Sequence, residues 1–191
     1  MQNPVKNGLS SVGVPRYTFL VCTVFFSDFA KLWIAIAFQT ISKNKAVTIA
    51  VSGGFDPIHI GHIRMMREAK KLGHKLIVIL NNDHWLMKKK GHVFMPQKER
   101  KEIIEALGCV DKVILTKHPK NPKDMSVSKA LMEIKPDIFC NGGDRKKGNL
   151  DTAESKICQL INCKLILGIG RGGKVQSSSW LLKNFTENRK S

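Results

Sequence analysis

The sequence predicts an α/β domain: a doubly wound, five-stranded parallel sheet with helices on both faces. Three observations predict it. Short β-branched apolar runs alternate with stretches of helical periodicity, the runs are apolar throughout rather than at every second residue, and glycines or prolines separate the two kinds of segment. A chain of 191 residues has room for one such domain and a short extension.

Ala46–Val51 (AVTIAV) reads as a first strand covered on both faces. Ile60–Leu72 reads as a helix, with Ile63, Met66 and Ala69 at three-residue steps and Gly73 as its stop. Lys75–Leu80 (KLIVIL) is a second buried strand, and His84–Gly91 is expected to be a basic loop. Pro96 opens a helix with Ile103, Ile104 and Leu107 on its apolar face, ended by Gly108. Asp111–Thr116 is a third strand, and Met125–Ile134 an amphipathic helix after a proline-flanked loop. Asp137–Cys140 is the fourth strand, Ala153–Ile161 a helix, Lys164–Leu167 the fifth strand and Ser177–Phe185 a closing helix. Such strand–helix alternation implies right-handed crossovers and a parallel sheet.

The domain is expected at residues 45–191, preceded by an apolar extension at 1–44. Within it, residues 18–38 are about as long as a membrane span. Asp28 and Lys31 near the middle oppose that use, each costing about 2.5–3.5 kcal/mol at a bilayer centre. The segment also lacks a small-residue cleavage site. A weak membrane anchor, an apolar helix packed on the domain or a partner, and a dispensable extension all stay open. The expected location is cytoplasmic, with membrane contact through 18–38 as the variant.

Five scattered cysteines, an odd number with no zinc spacing, point to reduced thiols. The formal charge of +17 (32 Lys+Arg against 15 Asp+Glu) suits anionic partners. No arginine-rich arm or aromatic-interleaved basic stripe is present, so no nucleic-acid partner is expected. A solvated basic surface would give the same balance.

The chemistry concentrates where the first strand ends, in GGFDPIHIGH (Gly53–His62). Ligands of a doubly wound sheet bind beyond the carboxyl ends of its strands. Gly53 and Gly54 let backbone approach a ligand, and the N–H groups opening the next helix favour an anion. His59 and His62, three residues apart, can face one side and stabilise charge on a phosphate, by hydrogen bonding or as imidazolium. The string is neither a Walker A loop nor GxGxxG.

This stretch resembles the HxGH signature of the nucleotidylyltransferase superfamily, and GGFDPIHIGH is similar to its full G-x-F-D-x-x-H-x-G-H form, Phe55 and Gly61 included. Further segments in the same order resemble the cytidylyltransferase-like branch. Lys88, Lys89 and Lys90 lie where that family places basic residues over nucleotide phosphates. Pro96–Arg100 resembles its P-x-x-x-R helix start, whose arginine reaches the same phosphates. Gln176-Ser177-Ser178-Ser179 is similar to its I-S-T-T segment, where hydroxyls at a helix start hold the outer phosphates. Alone, each could be a solvated lysine run, a surface arginine or an ordinary N-cap at Ser177. Where the family often has an arginine before the I-S-T-T segment this chain has Gly172, leaving Arg171 or Lys174 to supply the charge. Asn141–Arg145 resembles the K-G-G-D segment of ADP-heptose-type adenylyltransferases, with Gly143 and Asp144 toward the base, ribose or acceptor. Asp56 is expected to be a turn residue, with a place close to the metal left open.

The resemblance implies a Rossmann-like nucleotidyltransferase that moves a nucleotidyl group from a nucleoside triphosphate to a phosphorylated acceptor. The implied catalytic residues are His59, His62 and Lys90, with Mg²⁺ carried on the triphosphate and no metal ligand in the protein. ATP with a sugar 1-phosphate such as a heptose 1-phosphate is the first substrate pair. CTP with glycerol 3-phosphate or a related alcohol phosphate is the alternative, and a non-catalytic nucleotide sensor the alternative of another class. An aminoacyl-tRNA synthetase fragment is disfavoured, because no KMSKS is present. A homodimer is expected.

Overall fold

The computed structural model describes residues 45–142, 152–170 and 177–187. Strands β1 (Thr48–Gly53), β2 (Lys75–Leu80), β3 (Lys112–Leu115), β4 (Ile138–Gly142) and β5 (Lys164–Ile169) form one parallel sheet in the order β3-β2-β1-β4-β5. Helices α1 (Ile60–Lys70), α2 (Asp83–Lys90), α3 (Gln97–Glu105), α4 (Ser128–Ile134), α5 (Ala153–Leu160) and α6 (Ser178–Glu187) occur between or after them. The chain runs outward from β1 to β3 and then returns to place β4 on the other side of β1. That reversal is a topological switch point, the crevice where such sheets bind ligands.

The apolar runs form strands because the sheet is covered twice. Ile49, Val51, Leu76, Val78, Leu80 and Cys140 pack with Met65, Met66 and Ala69 of α1 and Ile104 of α3. The intervening residues Ala50, Ile79 and Phe139 face the other way, against Leu131 of α4 and Cys158 of α5. Phe139 and Leu131 are fully buried, and each side chain of this kind contributes about 1.5–3 kcal/mol by leaving water. Phe139→Ala would remove that term and leave a cavity, at a cost of about 3–5 kcal/mol. The four described cysteines, Cys109, Cys140, Cys158 and Cys163, are free.

Two expected elements differ. The segment expected as a basic loop is helix α2. Asn82 caps it by accepting from Trp85 N at 3.1 Å, and Gly91, with φ 78°, closes it in the left-handed region. Lys88, Lys89 and Lys90 occupy its last turn, where cations complement the helix dipole. Only Leu86 of this helix is buried, so it has no apolar stripe from which periodicity could be read. Helix α4, expected from Met125, starts at Ser128. Before it, Asp124 accepts from Ser126 N at 2.8 Å, closing a local turn in place of a helical one.

Residues 1–44 lie outside the described residues, and with them the expected extension and its membrane contact. Among the described residues, no helix is long and apolar enough to cross a membrane.

Candidate active site

The turn after β1 is organised around a residue with left-handed backbone. Phe55 has φ 48°, a region that costs a non-glycine residue about 1–3 kcal/mol. This conformation carries its ring back over Gly53, where a Cβ would stand 2.7 Å from ring atom Cζ. A Cβ on Gly54 would meet Leu86 Cδ2 of α2 at 2.8 Å. The sequence suggested that these glycines admit a ligand; in the fold they first admit protein side chains.

Asp56 is fully buried and joined to Pro57 by a cis peptide bond. Its carboxylate accepts from Phe94 N at 2.9 Å and Met95 N at 2.7 Å, and its carbonyl accepts from Lys90 Nζ at 2.6 Å. Asp56 is thus the structural residue the turn required, fastening the signature to the segment between α2 and α3.

His59 is the N-cap of α1. Its Nδ1 accepts from Gly61 N at 3.1 Å, and Nδ1 of His62 accepts from His59 N at a longer 3.4 Å. The His59 ring therefore folds back over the helix start. A Cβ on Gly61 would be 2.9 Å from His59 Cε1, which explains the glycine between the histidines. The two rings stack with centroids 3.8 Å apart and planes 28° apart. Phe55 meets the His62 ring edge-on, at 4.9 Å and 83°.

These contacts fix the chemical state of the pair. A backbone N–H can only donate, so each Nδ1 is an acceptor and each neutral ring carries its proton on Nε2. Burial, followed by His59 and then Lys90, pushes His62 down to about 3 from its ordinary 6.5. Burial and then Lys90 also hold His59 below its ordinary value. Of the two roles the sequence left open, burial beside Lys90 favours neutral Nε2–H donors over imidazolium. Lys90 is half-buried and likewise lowered, chiefly by burial, against the opposing pull of Asp56.

The other basic residues divide sharply. Arg100, expected to reach phosphate, is fully buried. Its Nε donates to Met95 O at 2.8 Å, and its Nη1 donates to Gly54 O at 2.6 Å and Asn81 O at 2.8 Å. Its Nη2 pairs with Asp83 Oδ1 at 2.5 Å. Gln97 joins the same clasp, accepting from Asp83 N at 3.0 Å and donating to Asp83 Oδ2 at 3.2 Å. In this arrangement the P-x-x-x-R helix start braces the signature turn, because Arg100 and Gln97 lie one helical turn apart. Lys88 is exposed, and its Nζ donates to Asn121 Oδ1 at 2.7 Å.

The start of α6 also meets the turn. Ser178 is buried and donates to Pro57 O at 2.9 Å, while Ser177 caps the helix by accepting from Trp180 N at 3.1 Å. Ser179 is exposed. The fold thus brings His59, His62, Lys90, Ser177 and Ser178 to the carboxyl side of β1, at the switch point. Gly143, Asp144, Arg171 and Lys174 lie outside the described residues. The described residues hold no group of three or more His, Cys, Asp or Glu side chains suited to a metal ion. Sequence reading missed the Asp83–Gln97–Arg100 clasp. The available signal was Asn82-Asp83 directly after an apolar strand, a pattern that marks a capped helix.

Residues 50–167 match the model of a family described as cytidylyltransferase-like. The chain is 32% identical over 142 residues to the FAD synthase of Thermoplasma acidophilum, spanning 74% of this chain and 95% of that relative. It is 34% identical over 106 residues to the FAD synthase of Pyrococcus abyssi, 55% of this chain and 68% of the relative. A crystal structure described as the lipopolysaccharide core biosynthesis protein from Thermoplasma volcanium GSS1 is 30% identical with a TM-score of 0.53. The match covers 65% of this chain and 97% of that one. With the sheet order, the histidine pair and these matches in agreement, the chain belongs to the cytidylyltransferase-like family and is a nucleotidyltransferase.

Proposed function

We propose that the chain transfers an adenylyl group from ATP to the phosphate of a flavin mononucleotide, releasing pyrophosphate and forming FAD. FAD is flavin mononucleotide joined to AMP through a pyrophosphate link, so its formation needs only this single transfer. The observation that carries the reaction type is the stacked His59–His62 pair, with both Nδ1 atoms held by backbone and both Nε2–H groups left to donate. The FAD synthase relatives support the choice of acceptor.

An oxygen of the acceptor phosphate attacks the α-phosphorus, and the bond to the leaving pyrophosphate breaks with its electron pair. The acceptor oxygen is already ionised near neutral pH, so no general base or covalent intermediate is required. The enzyme's part is to bring two anions together and stabilise charge on the α-phosphate. Nε2–H of His59 and His62 would donate to the α-phosphate oxygens. A triphosphate beside the rings raises both pKa values, so the pair can gain positive character as that charge develops. Lys90 and Ser177–Ser179 would hold the outer phosphates, with Lys88 at the rim. Mg²⁺ carried on the triphosphate would supply charge screening for the pyrophosphate, with Lys90 and Ser177–Ser179 as the protein groups beside it.

A sugar 1-phosphate acceptor is the second reading. The likeness to the lipopolysaccharide core biosynthesis protein favours it, as does the resemblance of residues 141–145 to K-G-G-D. The deciding experiment measures pyrophosphate release with ATP or CTP, Mg²⁺, and either flavin mononucleotide or a panel of sugar and polyol phosphates. ATP with flavin mononucleotide is expected to give the highest kcat/KM. Faster release with a sugar phosphate would replace the flavin reading, and preference for CTP would overturn the choice of nucleotide.

A further inference from the structure

The lysines of the described chain fall into two groups. On α1 and α3, Lys70 pairs with Asp111, Lys71 with Glu68 and Lys101 with Glu105. Lys88 and Lys89 of α2, with Lys117, Lys120 and Lys123 of the loop after β3, are all exposed, and among the described residues none of them has an acidic partner. Residues 84–98 and 117–123 contain no acid at all. The acids at their borders are engaged, Asp83 by Arg100 and Asp124 by Ser126 N at 2.8 Å.

Four side-chain bonds fasten that loop to α2 and its cap. Lys88 Nζ donates to Asn121 Oδ1 at 2.7 Å, and Trp85 Nε1 donates to Met125 O at 2.8 Å. Asn82 Nδ2 and His84 Nδ1 both donate to His118 O, at 2.8 and 3.0 Å. Like charges repel, so a loose loop would spread its lysines; these bonds keep them beside Lys88 and Lys89 instead. The same surface exposes large apolar groups. Met87 of α2 is 52% exposed, and Phe94, between α2 and α3, is 55% exposed.

Lysines mixed with exposed apolar side chains suit the interface of an anionic bilayer, where headgroups attract the charge and the acyl boundary takes the apolar groups. Nucleic acid fits less well, because residues 84–98 and 117–123 hold no arginine to grip phosphate in bidentate fashion. Drawing in the triphosphate accounts for Lys90 and for Lys88 at the rim. It does not account for the loop lysines, which follow β3, two strands away from the β1 turn that carries the histidines.

We propose that α2, the segment up to Phe94 and the 117–123 loop form a docking surface for a bilayer rich in anionic lipid. The lysines meet the headgroups, and Met87 and Phe94 enter the interface. The surface borders the mouth of the active site and contains neither its histidines nor its serines, so the inference is independent of which acceptor the site takes.

The test sediments the full chain with phosphatidylcholine vesicles, with and without about one-third phosphatidylserine, at about 0.1 M salt. Wild type is expected to bind only the vesicles that contain phosphatidylserine. The triple variant Lys117→Ala, Lys120→Ala, Lys123→Ala should bind them about 100-fold more weakly, at about fivefold per lysine. A control, Lys75→Ala, Lys112→Ala, Lys164→Ala, makes the same change of charge at the exposed starts of β2, β3 and β5 and should lose less than about threefold. Met87→Ser leaves the charge intact and should weaken binding about tenfold. Failure of wild type to bind, indifference to phosphatidylserine, or equal affinity of the loop variant and either wild type or the control would overturn the proposal. So would a loop variant that keeps its lipid affinity and loses RNA binding or kcat/KM for ATP, which would assign the lysines to nucleic acid or to substrate steering. Each of these outcomes leaves the adenylyl-transfer reading intact.

Discussion

The signature turn and the last turn of α2 were read from the sequence as two parts of one phosphate site, yet the fold treats them differently. In Gly53–His62 both histidine Nδ1 atoms and the Asp56 carboxylate have partners within the protein. Along α2, Lys88 and Lys89 are exposed, and Lys90 alone of the three is half-buried and tied to Asp56 O. The difference teaches that basic residues near an anion site do two jobs. Some, such as Arg100 and Lys90, sit deep enough to hold the turn in shape. Others stay in solvent, where each contributes little on its own.

The comparison breaks most clearly at Arg100. Arg100→Ala removes the guanidinium donor from the carbonyls of Gly54, Asn81 and Met95 and from Asp83 Oδ1, leaving the Asp83 carboxylate with only its bond from Gln97 N. A loss of about 3–5 kcal/mol is expected in urea unfolding. A loss below about 1 kcal/mol would show that Arg100 does not brace the turn and would return it to the phosphates.

His62→Ala comes next, because it removes one of two preorganised donors. A drop in kcat of about 10²–10³-fold is expected, measured by pyrophosphate release, with the melting temperature nearly unchanged. Equal activity would sink the role given to the stacked pair.

Gly61→Ala sharpens the view that this glycine serves His59 rather than the ligand. Its Cβ would press on the His59 ring at 2.9 Å. Misplacing one donor is expected to lower kcat about tenfold. The double variant Gly61→Ala with His59→Ala should show no further loss from the added methyl group, because the ring it displaces is gone.

A pH series tests the neutral state of His62. Between its ordinary 6.5 and about 3 the unfolded chain binds a proton that the folded chain refuses. Stability is therefore fully present above 6.5 and falls as pH drops, by up to about 1.4 kcal/mol per pH unit from this group. His62→Gln should flatten that slope in denaturant unfolding. An unchanged slope would mean that the ring is protonated in the fold at mild pH.

The smallest effect is expected at Lys88. Lys88→Ala should raise the KM for ATP no more than about threefold, and less at high salt, because the side chain is exposed and screened.

The sheet was legible because buried parallel strands leave apolar runs that local context cannot disguise, as KLIVIL in β2 illustrates. The histidine pair was legible because its spacing and its glycine are local demands, met within ten residues of chain. Helix α2 was missed because caps at Asn82 and Gly91 hold it where no apolar stripe exists. Arg100 was assigned to phosphate through the resemblance of Pro96–Arg100 to the P-x-x-x-R helix start, and nothing in that local pattern marks how deeply the arginine is buried.

By itself, then, the sequence determined the strand order's raw material, the place of the switch-point turn and the reaction class, all of which depend on neighbours along the chain. Tertiary structure decided the rest. It set which of the basic residues face solvent, which state the buried imidazoles adopt, and which polar atom, Asn81 Oδ1, is left without a partner. Burial and long-range hydrogen bonds fix those properties, and both depend on segments dozens of residues apart, such as Gly54 and Arg100, separated by 46 positions.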